Sequence, residues 1–268
     1  MSYKSILVHV DRSDEGRART RVAAAVAAKF GARLIGLGAR AFDPMLDPVG
    51  LSVTKLKEIV DEELAAAERM FREEAHALGK AAEWRFEVDY PTAAMLRHAV
   101  AADLVVAGRG VGAMPPERQA ACADLIMGVG GPVLAAPQGA SLGWRRALIC
   151  WKNTRETRRA VADALPLLKL TEAVHVIRFA ADGEEPVPDA AQEDVVARLK
   201  LHGVPAQGEV RQRATNSVAE DIMAAAAKAK ADFIVAGGYG HSRLREWALG
   251  GVTQGLLQKS QHCVLFSH

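Results

Sequence analysis

The sequence predicts an α/β protein made of two tandem doubly wound domains, each a five-stranded, Rossmann-like parallel sheet, and three observations lead there. The first is an internal repeat: KSILVHVD at residues 4–11 lines up with RRALICWK at 145–152, an offset of 141. The same offset carries Ser13 onto Thr154, each placed as a helix N-cap before an Ala-rich run. The second is ADLVVAG at 102–108 against ADFIVAG at 231–237, followed by GPVLAA at 131–136 against HCVLFS at 262–267. The third is the pattern itself: short, continuously apolar runs alternate with amphipathic ones, as in parallel strands covered on both faces by helices.

Taken in order, the first copy places strands near 4–10, 33–38, 82–88, 103–107 and 132–136. A long charged helix over about 52–78, with Ile59, Leu64, Met70 and Phe71 on its apolar face, reads as a cover for the sheet. The second copy places strands near 145–151, 173–179, 206–212, 232–236 and 263–267, and is shorter where the first has that long helix. The turn-rich stretch 137–143 is the seam, so the domains are expected at 1–140 and 141–268.

Composition narrows the function. Half of the 268 residues are hydrophobic and a quarter are charged, which suits a globular core rather than disorder. A net charge of +2 is too small to neutralise a run of phosphates, so nucleic acid is not expected as a partner. Cys122, Cys150 and Cys263 show no CxxC spacing, and the eight histidines form no HxxxH or HExxH, so neither a zinc site nor another metal centre is expected. Reduced thiols, no signal-peptide pattern at the N-terminus and no apolar run of membrane-spanning length together predict a cytoplasmic chain.

The glycine-rich stretch after the fourth strand of the second copy carries the most chemistry. Gly237 and Gly240 follow a predicted parallel strand, at the end where open α/β sheets bind ligands. Gly250 and Gly251 open a helix whose free N–H groups favour an anion, and His241 could add a hydrogen bond to phosphate. Other phosphate and hydrolase signatures are missing. No GxGxxG follows the first strand of either copy, no glycine run closes in Gly-Lys-Ser or Gly-Lys-Thr, and Ser242 lacks the second glycine of a nucleophile elbow. No general base with a nucleophile emerges, so no catalytic residue is assigned and at most slow hydrolysis is expected.

Gly237-x-x-Gly240, nine residues, then Gly250 resembles the ATP-binding signature of the universal stress protein family, and the repeated strands are similar to that family in both halves. The resemblance implies a stress-response regulator binding ATP, with Mg²⁺, through its second copy. The implied nucleotide-binding residues are Gly237, Gly240, His241, Gly250, Gly251, Val252, Thr253, Lys152 and Phe179. Two positions depart from the family pattern: Gly251 replaces the family's Ser or Thr, with Thr253 two residues on, and Lys152 replaces an Asp near the adenosine. Copy one has the reverse pattern, keeping Asp11 but losing the glycine loop, and is expected not to bind nucleotide. The resemblance also implies an intramolecular pseudo-dimer in which the strands at 132–136 and 262–267 lie together, with a further homodimer and protein partners open. The competing expectation is a nucleotide-free scaffold acting through protein contacts.

Overall fold

The computed structural model describes residues 2–41, 52–109, 115–180, 185–215, 217–240 and 251–268. His241, Ser242 and Gly250 lie outside the described residues. Two compact units form: an N-terminal one of residues 2–129 and 136–141, and a C-terminal one of residues 130–135 and 142–268.

In the N-terminal unit the strands are β1 (Ser5–Val10), β2 (Arg33–Ala39), β3 (Ala82–Glu87) and β4 (Leu104–Gly108), ordered β3-β2-β1-β4 and parallel throughout. The helices are α1 (Asp14–Phe30), α2 (Val53–Glu74), α3 (Pro91–His98) and α4 (Cys122–Gly128). From β1 to β3 the chain steps one way across the sheet, then it returns past β1 to place β4. Right-handed crossovers therefore put α1 and α2 on one face and α3 on the other, and the observed packing of α1 on α2 and of α3 on α4 follows. Ser13 caps α1 by accepting from Gly16 N at 2.9 Å, and Gly31 ends it in the left-handed region at φ 58°.

Glycines in β2 bring α2 close. A Cβ on Gly36 would stand 2.5 Å from the Phe71 ring, and one on Gly38 would stand 2.7 Å from Trp84 and 3.2 Å from Leu64. Both side chains fill the space a larger residue would take, and Phe71 and Trp84 pack with ring centroids 5.6 Å apart. The apolar face of α2 is buried through Val60, Leu64, Ala67, Met70 and Phe71, so the helix covers the sheet as the pattern predicts. This packing places Glu63 and Leu64 over the C-terminal end of β2.

The C-terminal unit has six strands: β5 (Val133–Ala136), β6 (Arg146–Cys150), β7 (Ala173–Phe179), β8 (Ala206–Arg211), β9 (Phe233–Gly237) and β10 (Cys263–Ser267). Their order is β8-β7-β6-β9-β10-β5, parallel except for β5, which runs antiparallel to β10 with Leu134 opposite Leu265. The helices are α5 (Arg155–Leu168), α6 (Ala190–Leu201), α7 (Val218–Ala229) and α8 (Gly251–Lys259). Each sequence copy thus supplies five strands, but residues 133–135 of β5 count with the second compact unit.

The repeated Ala-Asp pair has a structural cause. Asp103 accepts from the backbone N–H groups of Lys4 and Ser5 at 2.7 and 3.0 Å, and Asp232 accepts from Arg145 and Arg146 at 2.7 and 2.8 Å. In each unit one carboxylate fixes where the first strand starts beside the fourth.

Candidate functional site

The chain leaves β6 toward β7 on one side, while β9 pairs on the other, so the C-terminal ends of β6 and β9 form a topological switch point, the place where open α/β sheets bind ligands. Lys152 lies just beyond β6, Phe179 ends the neighbouring β7, and Gly237 to Gly240 leave β9. Lys152 is exposed and Phe179 is half-buried.

The turn after β9 is tied at three points. Gly238 N donates to Ser267 O at 2.8 Å, the His268 ring contacts Gly238 O at 3.0 Å, and Tyr239 N donates to Thr253 Oγ1 at 3.2 Å. Tyr239 takes φ 46°, a left-handed conformation uncommon outside glycine, which turns the backbone from β9 toward α8. Gly251, the first described residue of α8, is exposed, and a Cβ there would meet no atom within 4 Å. Val252 follows, half-buried, inside the first turn.

Two of the expected residues have work inside the fold. Thr253 is 3% exposed and its hydroxyl holds Tyr239, so it positions the turn rather than replacing the hydroxyl missing at Gly251. A Cβ on Gly237 would stand 2.7 Å from Thr157 N and 2.9 Å from its hydroxyl oxygen, so this glycine lets the first turn of α5 close onto β9. Thr154 caps that helix by accepting from Thr157 N at 3.3 Å.

Glu156 was not singled out from sequence. It is 4% exposed, and its carboxylate oxygen lies 3.5 Å from where a Gly240 Cβ would be, with the Arg155 guanidinium 3.4 Å from the other oxygen. The available signal was its place in the repeat, opposite Glu15 behind a Ser or Thr cap, but that pattern equally describes an exposed first-turn acid. Trp151 is also buried, and its indole N–H has no acceptor among the described residues.

The corresponding end of the N-terminal unit is built with opposite charges. Arg19, 1% exposed, turns inward from α1 and donates to His9 O at 2.7 Å and to Asp11 Oδ2 at 2.6 Å. Asp11 Oδ1 accepts from Ser13 N at 2.9 Å and from the Ser13 hydroxyl, so both carboxylate oxygens are engaged within the protein. Burial alone would raise the Asp11 carboxyl, but the adjacent Arg19 guanidinium, His9 and the Ser13 hydrogen bonds outweigh it and bring it down to about 2. Burial and then Arg19 lower His9 to about 4, leaving a neutral imidazole at pH 7. Gly108 does here what Gly237 does in the other unit, since a Cβ on it would stand 2.6 Å from the Arg19 guanidinium. A cavity of about 460 Å³ opens beside Asp11, although this copy lacks the glycine loop.

Burial pushes Cys122, Cys150 and Cys263 up to about 12, so all three are protonated thiols at neutral pH. Among the described residues no three metal-ligating side chains come together, and no helix is long and apolar enough to cross a membrane.

With this geometry in place, comparison with known proteins gives a consistent fold. Residues 143–268 match the model of the Universal stress protein family. A universal stress protein from Archaeoglobus fulgidus aligns over 97% of this chain and 94% of its own, at 16% identity and a TM-score of 0.78. A functionally unknown protein from Pseudomonas aeruginosa aligns over 98% of this chain and 92% of its own, at 17% identity and a TM-score of 0.59. A universal stress protein solved in complex with cAMP aligns over 52% of this chain and all of its own, at 22% identity and a TM-score of 0.41. No curated protein matches the sequence.

Proposed function

We propose that this chain, which matches the universal stress protein family model over residues 143–268, is a cytoplasmic stress-response regulator binding an adenine nucleotide, ATP with Mg²⁺, in its C-terminal domain, residues 141–268. The observation that carries the reading is the tied turn after β9. Hydrogen bonds to Ser267, His268 and Thr253 fix Gly238 and Tyr239 at the switch point, and the bond to Thr253 ties this turn to α8. A phosphate there would be held by backbone N–H groups and the positive end of the helix dipole. Lys152 would stand near the adenosine and Phe179 beside the base. His241, Gly250, Val252 and Gly240 complete the proposed lining, while Gly237 and Thr253 keep its shape.

The Glu156 carboxylate beside Gly240 sets a condition on this site. Glu156 would help to hold Mg²⁺, whose positive charge would offset the charge of a nearby phosphate. The same carboxylate favours a second reading, a nucleotide-free scaffold, because it opposes an anion and Gly251 brings no hydroxyl to offset it.

Denaturing protein purified without added nucleotide and identifying the released small molecules by mass spectrometry separates the two, followed by calorimetric titration with ATP and Mg²⁺. Close to one ATP per chain supports the proposed site. No retained nucleotide and no binding heat reject it in favour of the scaffold.

A further inference from the structure

The cavity in the N-terminal unit has a chemistry that the nucleotide reading does not use. One wall is apolar, formed by Val10, Ala39, Leu64 and Ala67, and the rest is charged. Three arginines from separate segments converge on Glu63: Arg40 Nε donates to Oε2 at 2.8 Å, while Arg118 and Arg12 stand 3.3 and 3.5 Å from Oε1. Glu63 is well covered, with its side chain 13% exposed. Arg40 is the most engaged of the three, since its Nη1 also donates to the carbonyls of Ala41 and Glu117 at 2.7 and 3.3 Å.

Arg12 and Arg118 differ from Arg40. Their side chains are 63% and 39% exposed, and among the described residues each has only its ion pair to the one Glu63 oxygen. A guanidinium carries five N–H donors in a planar fork, so most of that capacity is left over by the ion pair to Glu63. Asp11 does not offset the excess positive charge, because Arg19 already neutralises it. The cavity therefore has three guanidinium groups against one carboxylate, with a compact apolar surface beside them.

We propose that this cavity binds an organic anion: a single phosphate or carboxylate head held between Arg12 and Arg118, with a compact apolar body against Val10, Ala39, Leu64 and Ala67. The inference goes beyond the nucleotide reading. It concerns the other unit, and guanidinium side chains rather than backbone N–H groups recognise the charge. A volume of about 460 Å³ lies within the range of small-molecule pockets. Glu63 already occupies one acceptor position, so removing its charge frees donors for the ligand.

The test is calorimetric titration with phenyl phosphate and with benzoate, which share the apolar ring and differ in the head. One probe molecule per chain is expected. The Arg12→Gln Arg118→Gln double variant, folded by circular dichroism, is expected to lose roughly tenfold in affinity, about 1.4 kcal/mol. Glu63→Gln is expected to gain affinity, an outcome that a purely structural Glu63 would not produce. Gly251→Asp, at the start of α8, leaves probe binding unchanged, so the proposal stands or falls independently of ATP binding. Failure of both probes to bind, binding that survives the double variant, or binding that Gly251→Asp abolishes would each overturn it.

Discussion

The ends of the first strands in the two units share a plan and differ in charge. In the N-terminal unit Asp11 follows β1 and Arg19 comes up from α1 to neutralise it, against the glycine that ends β4. In the C-terminal unit Lys152 follows β6, and α5 closes onto the glycine that ends β9 through Thr157, with Glu156 beside it. The backbone devices recur: a Ser or Thr cap, a packing glycine and an aspartate fixing the first strand. The side chains that would meet a ligand do not. The skeleton constrains where a ligand binds, while its charge and shape are set by a few replaceable residues.

The comparison breaks most sharply at Arg19. Arg19→Met keeps much of the volume but leaves Asp11 buried without its cation, and should destabilise the N-terminal unit by about 3–5 kcal/mol. Hydrogen exchange in β1 and β4 peptides would register the loss, with β6 and β9 peptides little changed. Equal loss in both units would mean that the network serves the whole chain rather than one copy.

Acid should separate the units next. His9 is held at about 4 against an ordinary 6.5, so the unfolded state binds its proton first as pH falls. Its contribution is fully present above about pH 6.5 and is lost as pH drops toward 4, amounting to roughly 3 kcal/mol. Asp11, held at about 2 against 3.8, adds a further loss below about pH 4. Urea unfolding between pH 7 and 4.5 should show a steeper decline for the native protein than for His9→Gln. Parallel curves would exclude His9 as the source.

Gly237→Ala sharpens the comparison from the other unit. The new Cβ meets the backbone of α5 at Thr157, where nothing flexible can yield, and about 1–3 kcal/mol of destabilisation is expected from a urea midpoint. The smallest effect on stability belongs to Gly251→Asp. Open space surrounds that position and an acid suits a helix start, so stability should stay within about 0.5 kcal/mol while ATP affinity falls. Undiminished ATP affinity would move the nucleotide away from α8.

Much of the fold was legible because the buried strands are short apolar runs and the repeat supplied the first, fourth and fifth of each copy twice. Strand limits read from the sequence agree with the structure to within one or two residues. The position of the glycine turn was legible for the same reason. Side-chain direction was not. Arg17, Arg19 and Arg21 look alike in a charged helix, yet Arg17 and Arg21 pair with Glu74 at its edge while Arg19 is buried under β1. Glu156 has the sequence of an exposed first-turn acid, and only the approach of α5 to Gly237 buries it. The arginine cavity was the least legible feature, because Arg12, Arg40, Glu63 and Arg118 come from four segments that no spacing rule joins.

The antiparallel pairing of β5 with β10 bears on where the chain can be divided. A fragment beginning at residue 141, where the sequence starts to repeat, would leave β5 behind and bare the backbone edge of β10 at Val264, Leu265 and Phe266. An uncovered apolar strand edge is a template for association between molecules. A fragment beginning at residue 130 takes its edge cover along. The smallest self-sufficient piece of the second half is therefore longer than the second repeat, and a break in the linker that respects the sequence would still expose a surface the intact protein keeps covered.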